Sequence, residues 1–141
     1  MNSLKKRVLI TGAVLSSSLE SIETYNQLVS FLDDKYIVSS PLDTMNFEGN
    51  DKERYVRAMD LLHQAEYVIA EMSTPSTGQG MEIQEAINHH IPILVLAKEG
   101  SKISGLIKGA KGISKIVYYQ HIKETKEEIA HFIQNSNVEN S

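Results

Sequence analysis

Ala65-Glu66-Tyr67-Val68-Ile69-Ala70-Glu71-Met72, followed at once by Ser73-Thr74-Pro75-Ser76-Thr77-Gly78-Gln79-Gly80-Met81-Glu82, decides how this chain is read. From Tyr67 the first segment is apolar on consecutive positions, as a strand covered on both faces should be. The second holds a proline, two glycines and several hydroxyls, which read as a strand-to-helix turn. A helical pattern over 80–89 then buries Ile83, Ala86 and Ile87. Outward from this unit the same alternation repeats. Strands are expected at 7–11, 36–39, 67–72, 93–97 and 115–119. A first helix opens with the capping box Ser17-x-x-Glu20 and carries Ile22, Tyr25, Leu28, Val29 and Leu32 at helical spacing, ending near Asp33-Asp34. A second runs over 51–65 with Tyr55, Met59, Leu62 and Ala65 on one face, and a last follows Thr125-x-x-Glu128 with Ile129, Phe132 and Ile133 inward. Repeated βα units feed a parallel sheet. The expected fold is therefore α/β: a single-domain Rossmann-like, or flavodoxin-like, open parallel sheet of about five strands with helices on both faces and ligands at the carboxyl ends of the strands. The domain is expected over 1–135, with 136–141 a flexible, Asn/Ser-rich tail.

Size and composition agree. A chain of 141 residues supports one core, and 41% hydrophobic and 23% charged residues are ordinary globular proportions. Residues 91–97, the longest apolar stretch, are interrupted by Pro92 and too short for a bilayer. Lys5, Lys6 and Arg7 precede a short apolar run that ends at Gly12 without a cleavage site, so the run reads as the first strand rather than a leader. Zero cysteines exclude disulfides, zinc ribbons and thiol nucleophiles, and make the cytoplasm the default expectation. A net charge of −4 and a pI near 5.7 argue against nucleic-acid binding, while a small anionic ligand stays open.

The loops over 11–18, 73–80 and 98–105 follow the first, third and fourth strands, and they are the polar ones. In the central turn, Gly78 and Gly80 let backbone approach a ligand and the free amides of the helix start favour an anion. The plainer reading of the same turn is a capped helix, with Glu82 in its first turn complementing the macrodipole. Gly78-x-Gly80 lacks the third glycine of a dinucleotide fingerprint and follows the third strand, not the first. Tyr119-x-x-x-Lys123 is a chance match to short-chain dehydrogenases, and no Walker A sequence exists. The five histidines have no metal-ligand spacing with carboxylates, so neither a metal nor another cofactor is expected.

Taken together, Ala65-Glu66-Tyr67-Val68-Ile69-Ala70-Glu71-Met72 and the run Pro75-Ser76-x-Gly78-x-Gly80-Met81-Glu82 resemble the nucleoside 2-deoxyribosyltransferase superfamily, nearest its 2′-deoxynucleoside 5′-phosphate N-hydrolases. The resemblance extends to Gly12 and to Ile103-Ser104-Gly105-Leu106-Ile107-Lys108-Gly109 and so covers most of the chain. It implies hydrolysis of a nucleoside 5′-monophosphate to free base and sugar phosphate. Glu82 matches the nucleophile, Ser76 a residue holding the 5′-phosphate, and Gly12, Gly78 and Gly80 backbone positions wrapping the ligand. Ser104 matches a serine that reaches the phosphate from the neighbouring subunit of a dimer. The serine-rich first loop, with Ser16, fits a phosphate site.

Three positions depart from the family pattern: Leu9 in place of an aromatic residue, Leu15 in place of arginine, and Ala58 in place of a helix-borne aspartate. Asp60, the nearest acid, is two positions along and points to a different face of its helix, so it serves only if the register shifts. Asp60 and Tyr55 are nonetheless the candidates for protonating the leaving base. Glu82 would be kept ionised by the helix dipole. The loop over 41–50 would cover the base, with Phe47 or Met45 stacking on it. Two other readings remain: a non-catalytic nucleotide binder on the same fold, and a transferase exchanging bases between deoxyribonucleosides.

Overall fold

The computed structural model describes residues 4–14 and 18–139. In chain order they form β1 (Arg7–Thr11), α1 (Leu19–Leu32), β2 (Ile37–Ser39), α2 (Pro41–Met45), α3 (Asp51–Gln64), β3 (Tyr67–Glu71), α4 (Thr77–Asn88), β4 (Ile93–Lys98), α5 (Gly105–Gly109), β5 (Ile113–Tyr119), a 3₁₀ turn (Ile122–Thr125) and α6 (Lys126–Glu139). The five strands make one parallel sheet in the order β2-β1-β3-β4-β5. The chain leaves β1 on one side and returns on the other at β3, so a crevice opens where the carboxyl ends of β1 and β3 part.

Consecutive strand residues point to opposite faces, and the apolar runs divide accordingly. Val8, Ile10, Tyr67, Ile69, Leu94 and Leu96 pack with Leu28 and Leu32 of α1 and with Ile129, Phe132 and Ile133 of α6. Leu9, Val68, Ala70, Ile93, Val95 and Ala97 pack on the other face with Met59 and Leu62 of α3 and Ile83 and Ala86 of α4. Side chains such as Leu28 and Leu62 are fully buried, each worth roughly 1.5–3 kcal/mol of transfer free energy. Among the described residues no helix is long and apolar enough to cross a membrane.

At α1, α2 and α6 the helices depart from expectation. The cap of α1 is Ser18, whose Oγ accepts from the Ser21 amide at 3.1 Å; Ser17 lies outside the described residues. Thr125 does not cap α6: it ends the 3₁₀ turn and its buried hydroxyl donates to the Ile122 carbonyl at 2.7 Å, while Glu128 pairs with Lys115 at 3.0 Å. The helix α6 also continues past 135 to Glu139, because Ser136 is buried against the Phe132 carbonyl and Asn137 accepts from Lys6 and Tyr67. Finally, 41–45 is a short helix rather than a loop, started by Pro41 and by the reciprocal contacts Leu42 N to Ser40 Oγ (3.2 Å) and Ser40 N to Asp43 Oδ2 (2.8 Å).

Candidate functional site

Beside the carboxyl end of β1, between α2, α3 and α4, lies a small cavity of about 50 Å³. Leu9, Gly12 and Val14 line it from β1 and its loop, Pro41 and Thr44 from α2, Ala58 and Leu61 from α3, and Glu82 from α4. Glu82 is the one carboxyl among these lining residues. Its side chain is partly buried, and loss of water raises its pKa from 4.5 to about 7. This corrects the expectation that the helix dipole keeps it ionised. The helix α4 begins at Thr77, not near Gly80, so Glu82 sits in the second turn, where the dipole has faded and apolar walls dominate.

Why α4 starts early is visible at its cap. Ser76 Oγ accepts from the Gln79 amide at 3.3 Å and the Ser76 carbonyl accepts from the Gly80 amide at 3.1 Å. The Thr77 and Gly78 amides are then the ones without an intrahelical acceptor. Gly78 lies four residues before Glu82 and shares its side of the helix. A Cβ built there meets nothing within 4 Å, so no atom among the described residues accounts for the glycine.

Gly12 has a different explanation. A Cβ at Gly12 would stand 2.4 Å from the Tyr25 hydroxyl, and that hydroxyl donates to the Ala13 carbonyl at 2.9 Å. The ring of Tyr25 thus occupies the space beside Gly12 and holds the loop after β1.

The remaining expected residues are spread over neighbouring surfaces. Ser76, Gly80 and Ser104 line a groove of about 550 Å³ together with Ile83, Ile87 and Ile103. Gly80 and Glu82 face away from one another on α4, so this groove and the Glu82 cavity flank the helix on opposite sides. Ser104 caps α5, accepting from the Leu106 amide at 3.2 Å. Asp60 is exposed and lines a third cavity, also about 550 Å³, with Phe47, Lys52 and Arg57. It is not beside Glu82; Leu61, between the two on α3, lines both cavities. Phe47 is held there by the Arg57 guanidinium, 5.3 Å from its ring centre. Ser16 and Leu15 lie outside the described residues.

Sequence reasoning passed over the polar network that fixes these strand ends. Glu71, buried at the end of β3, accepts from the Ser73 amide (2.8 Å), the Ser73 hydroxyl (2.9 Å) and the Tyr119 hydroxyl. Burial first, and the Glu71 carboxyl second, push the Tyr119 pKa upward, so the phenol stays a donor. Ser73 Oγ in turn accepts from the Lys98 amide at 2.8 Å. Buried Gln79 ties α4 to the sheet by donating to Thr11 Oγ1 (3.0 Å) and the Glu71 carbonyl (2.9 Å). The available signal was a carboxylate closing an otherwise apolar strand. The histidine reading is corrected: Glu85 and His89 do stand one turn apart on α4, and His63 of α3 is brought to both, a proximity that sequence spacing within one helix does not reveal.

No family model matches the chain. It is 26% identical over 138 residues to a Methanosarcina mazei protein provisionally named 2′-deoxynucleoside 5′-phosphate N-hydrolase 1, spanning 92% of this chain and 85% of that one. It is 26% identical over 123 residues to the mouse (Mus musculus) 5-hydroxymethyl-dUMP N-hydrolase, spanning 84% and 69%. In fold it is similar to a Clostridium botulinum CMP N-glycosidase, with a TM-score of 0.70 at 21% identity over 90% of this chain and 99% of that one.

Proposed function

We propose that this chain, whose sequence resembles the 2′-deoxynucleoside 5′-phosphate N-hydrolases of the nucleoside 2-deoxyribosyltransferase superfamily, hydrolyses the N-glycosidic bond of a nucleoside 5′-monophosphate with Glu82 as nucleophile. The observation that carries this reading is a lone carboxyl in the cavity at the carboxyl end of β1, one helical turn from Gly78 and the open amides of α4. In this reading the Glu82 carboxylate attacks C1′ as the bond to the base breaks through an oxocarbenium-like transition state. The base leaves with a proton, and water then splits the glycosyl ester to give sugar 5-phosphate and regenerate Glu82. The phosphate sits at the start of α4, against the Thr77 and Gly78 amides and the Ser76 hydroxyl. Gly12 bounds the sugar, and Gly80, on the other side of α4, lines the groove it shares with Ser76 and Ser104. Asp60, across Leu61, protonates the departing base only where the base reaches past that side chain.

Assembly as a homodimer is part of the proposal. Leu106 is 87% exposed beside Ser104, and pairing covers it while bringing Ser104 to the other subunit's phosphate site. Sedimentation at micromolar concentration tests this, a strictly monomeric protein contradicting it. The cytoplasm is the proposed compartment.

The test is a panel of ribo- and deoxynucleoside monophosphates and the matching free nucleosides, assayed for released base with native protein and with Ser76→Ala. Base is expected from at least one monophosphate, and Ser76→Ala should raise KM for it several-fold while hardly changing the free nucleoside, since the hydroxyl-to-phosphate bond exists only with the former. Binding without base release would make the chain a nucleotide-binding protein, and release only with an acceptor base would make it a transferase.

Gly78→Ala separates the ligand from the helix. Alanine gains a few tenths to about 1 kcal/mol of helix stability over glycine, and the new methyl touches no atom of the described residues. The expected variant melts higher yet has a higher KM. Unchanged KM would remove Gly78 from the binding surface.

A further inference from the structure

We propose that His63, Glu85 and His89 form a divalent transition-metal site that clasps α3 to α4, a site independent of the hydrolase reading. Glu85 and His89 stand one turn apart at the end of α4, and His63 reaches them from the last turn of α3. Glu85 Oε1 lies 2.9 Å from His89 Nε2 and 3.7 Å from His63 Nε2. The three ligand atoms all fall within 4.8 Å of one another. A tetrahedral ion with bonds of about 2.1 Å holds its ligand atoms roughly 3.4 Å apart, a separation the two Glu85 distances bracket.

The donor set selects the ion. Two imidazole nitrogens and one carboxylate oxygen suit Zn²⁺, Co²⁺ or Ni²⁺, whereas Ca²⁺ and Mg²⁺ take oxygen ligands. The imidazole rings are 4.5 Å apart and tilted 45°, with both Nε2 atoms converging on one carboxylate oxygen. A cation between them uses all three lone pairs at once. All three side chains are partly exposed, so an ion reaches them from solvent, and three protein ligands leave a position for water. An ion there fixes the spacing of α3 and α4, the two helices that place Ala58 and Glu82 at the small cavity.

The experiment titrates chelator-treated protein with Zn²⁺ by calorimetry and with Co²⁺ by visible absorption. One ion per chain and cobalt bands of low coordination number are expected. His63→Ala and His89→Ala should each weaken binding by at least about tenfold, and His131→Ala, at an exposed position of α6, should leave it unchanged. Absence of saturable one-to-one binding by the native protein overturns the site. So does His63→Ala binding with native affinity, because the ion would then not bridge the helices.

Discussion

Glu82→Gln is expected to lower base release by at least about 10⁴-fold, the scale on which loss of a covalent nucleophile is felt, while nucleotide affinity changes little because the phosphate contacts lie at the start of α4. The same variant should be more stable than the native protein above pH 7. The Glu82 pKa is raised on folding from 4.5 to about 7, so the folded protein holds a proton that the unfolded chain releases between these values. Stability from this group is therefore fully present below pH 4.5 and is lost as pH rises to 7. For a partly exposed carboxyl the loss amounts to roughly 1–3 kcal/mol after solvent screening. Glutamine, neutral throughout, removes it. Native kcat/KM should accordingly fall as pH drops below 7, because attack needs the carboxylate. Melting curves at pH 5 and pH 8, with a pH–rate profile, read both effects; a Glu82→Gln variant with near-normal turnover removes Glu82 from the mechanism.

Glu71→Ala is expected to cost about 2–4 kcal/mol of folding stability, since it strands several buried donors at once. The Ser73 amide and hydroxyl and the Tyr119 hydroxyl all converge on this one carboxyl. Their loss loosens the carboxyl ends of β3 and β5, and through Ser73 that of β4, which Lys98 closes. Glu71→Gln retains an acceptor oxygen and should cost less. Urea unfolding checks the order; a Glu71→Ala midpoint equal to native would mean that the network adds nothing to the fold.

The strands were legible because their apolar residues run consecutively, and the fold class followed from the alternation. Strand order was not, since pairing β1 with β3 depends on contacts between residues such as Leu9 and Val68 that no local pattern encodes. The helices α2 and α5 span five residues each, too short for a helical period to register. Gly78 and Gly80 made the start of α4 look like loop, whereas Ser76 caps the helix ahead of both. The offset between Ala58 and Asp60 was readable from helical geometry, and in the structure Ala58, not Asp60, shares the Glu82 cavity. The protonation of Glu82 was misread because the apolar walls come from β1, α2 and α3, elements remote in sequence from the turn that carries it. Tyr25 beside Gly12, and His63 beside Glu85, were hidden for the same reason.

The most direct measurement is the mass of the peptide carrying Glu82 after acid quenching of native protein during turnover with a monophosphate that it cleaves. The account predicts a peptide heavier by one dehydrated sugar phosphate, with the added mass on Glu82 and absent from protein quenched without substrate. Steady base release with Glu82 unmodified, and Glu82→Gln still turning over, would contradict it.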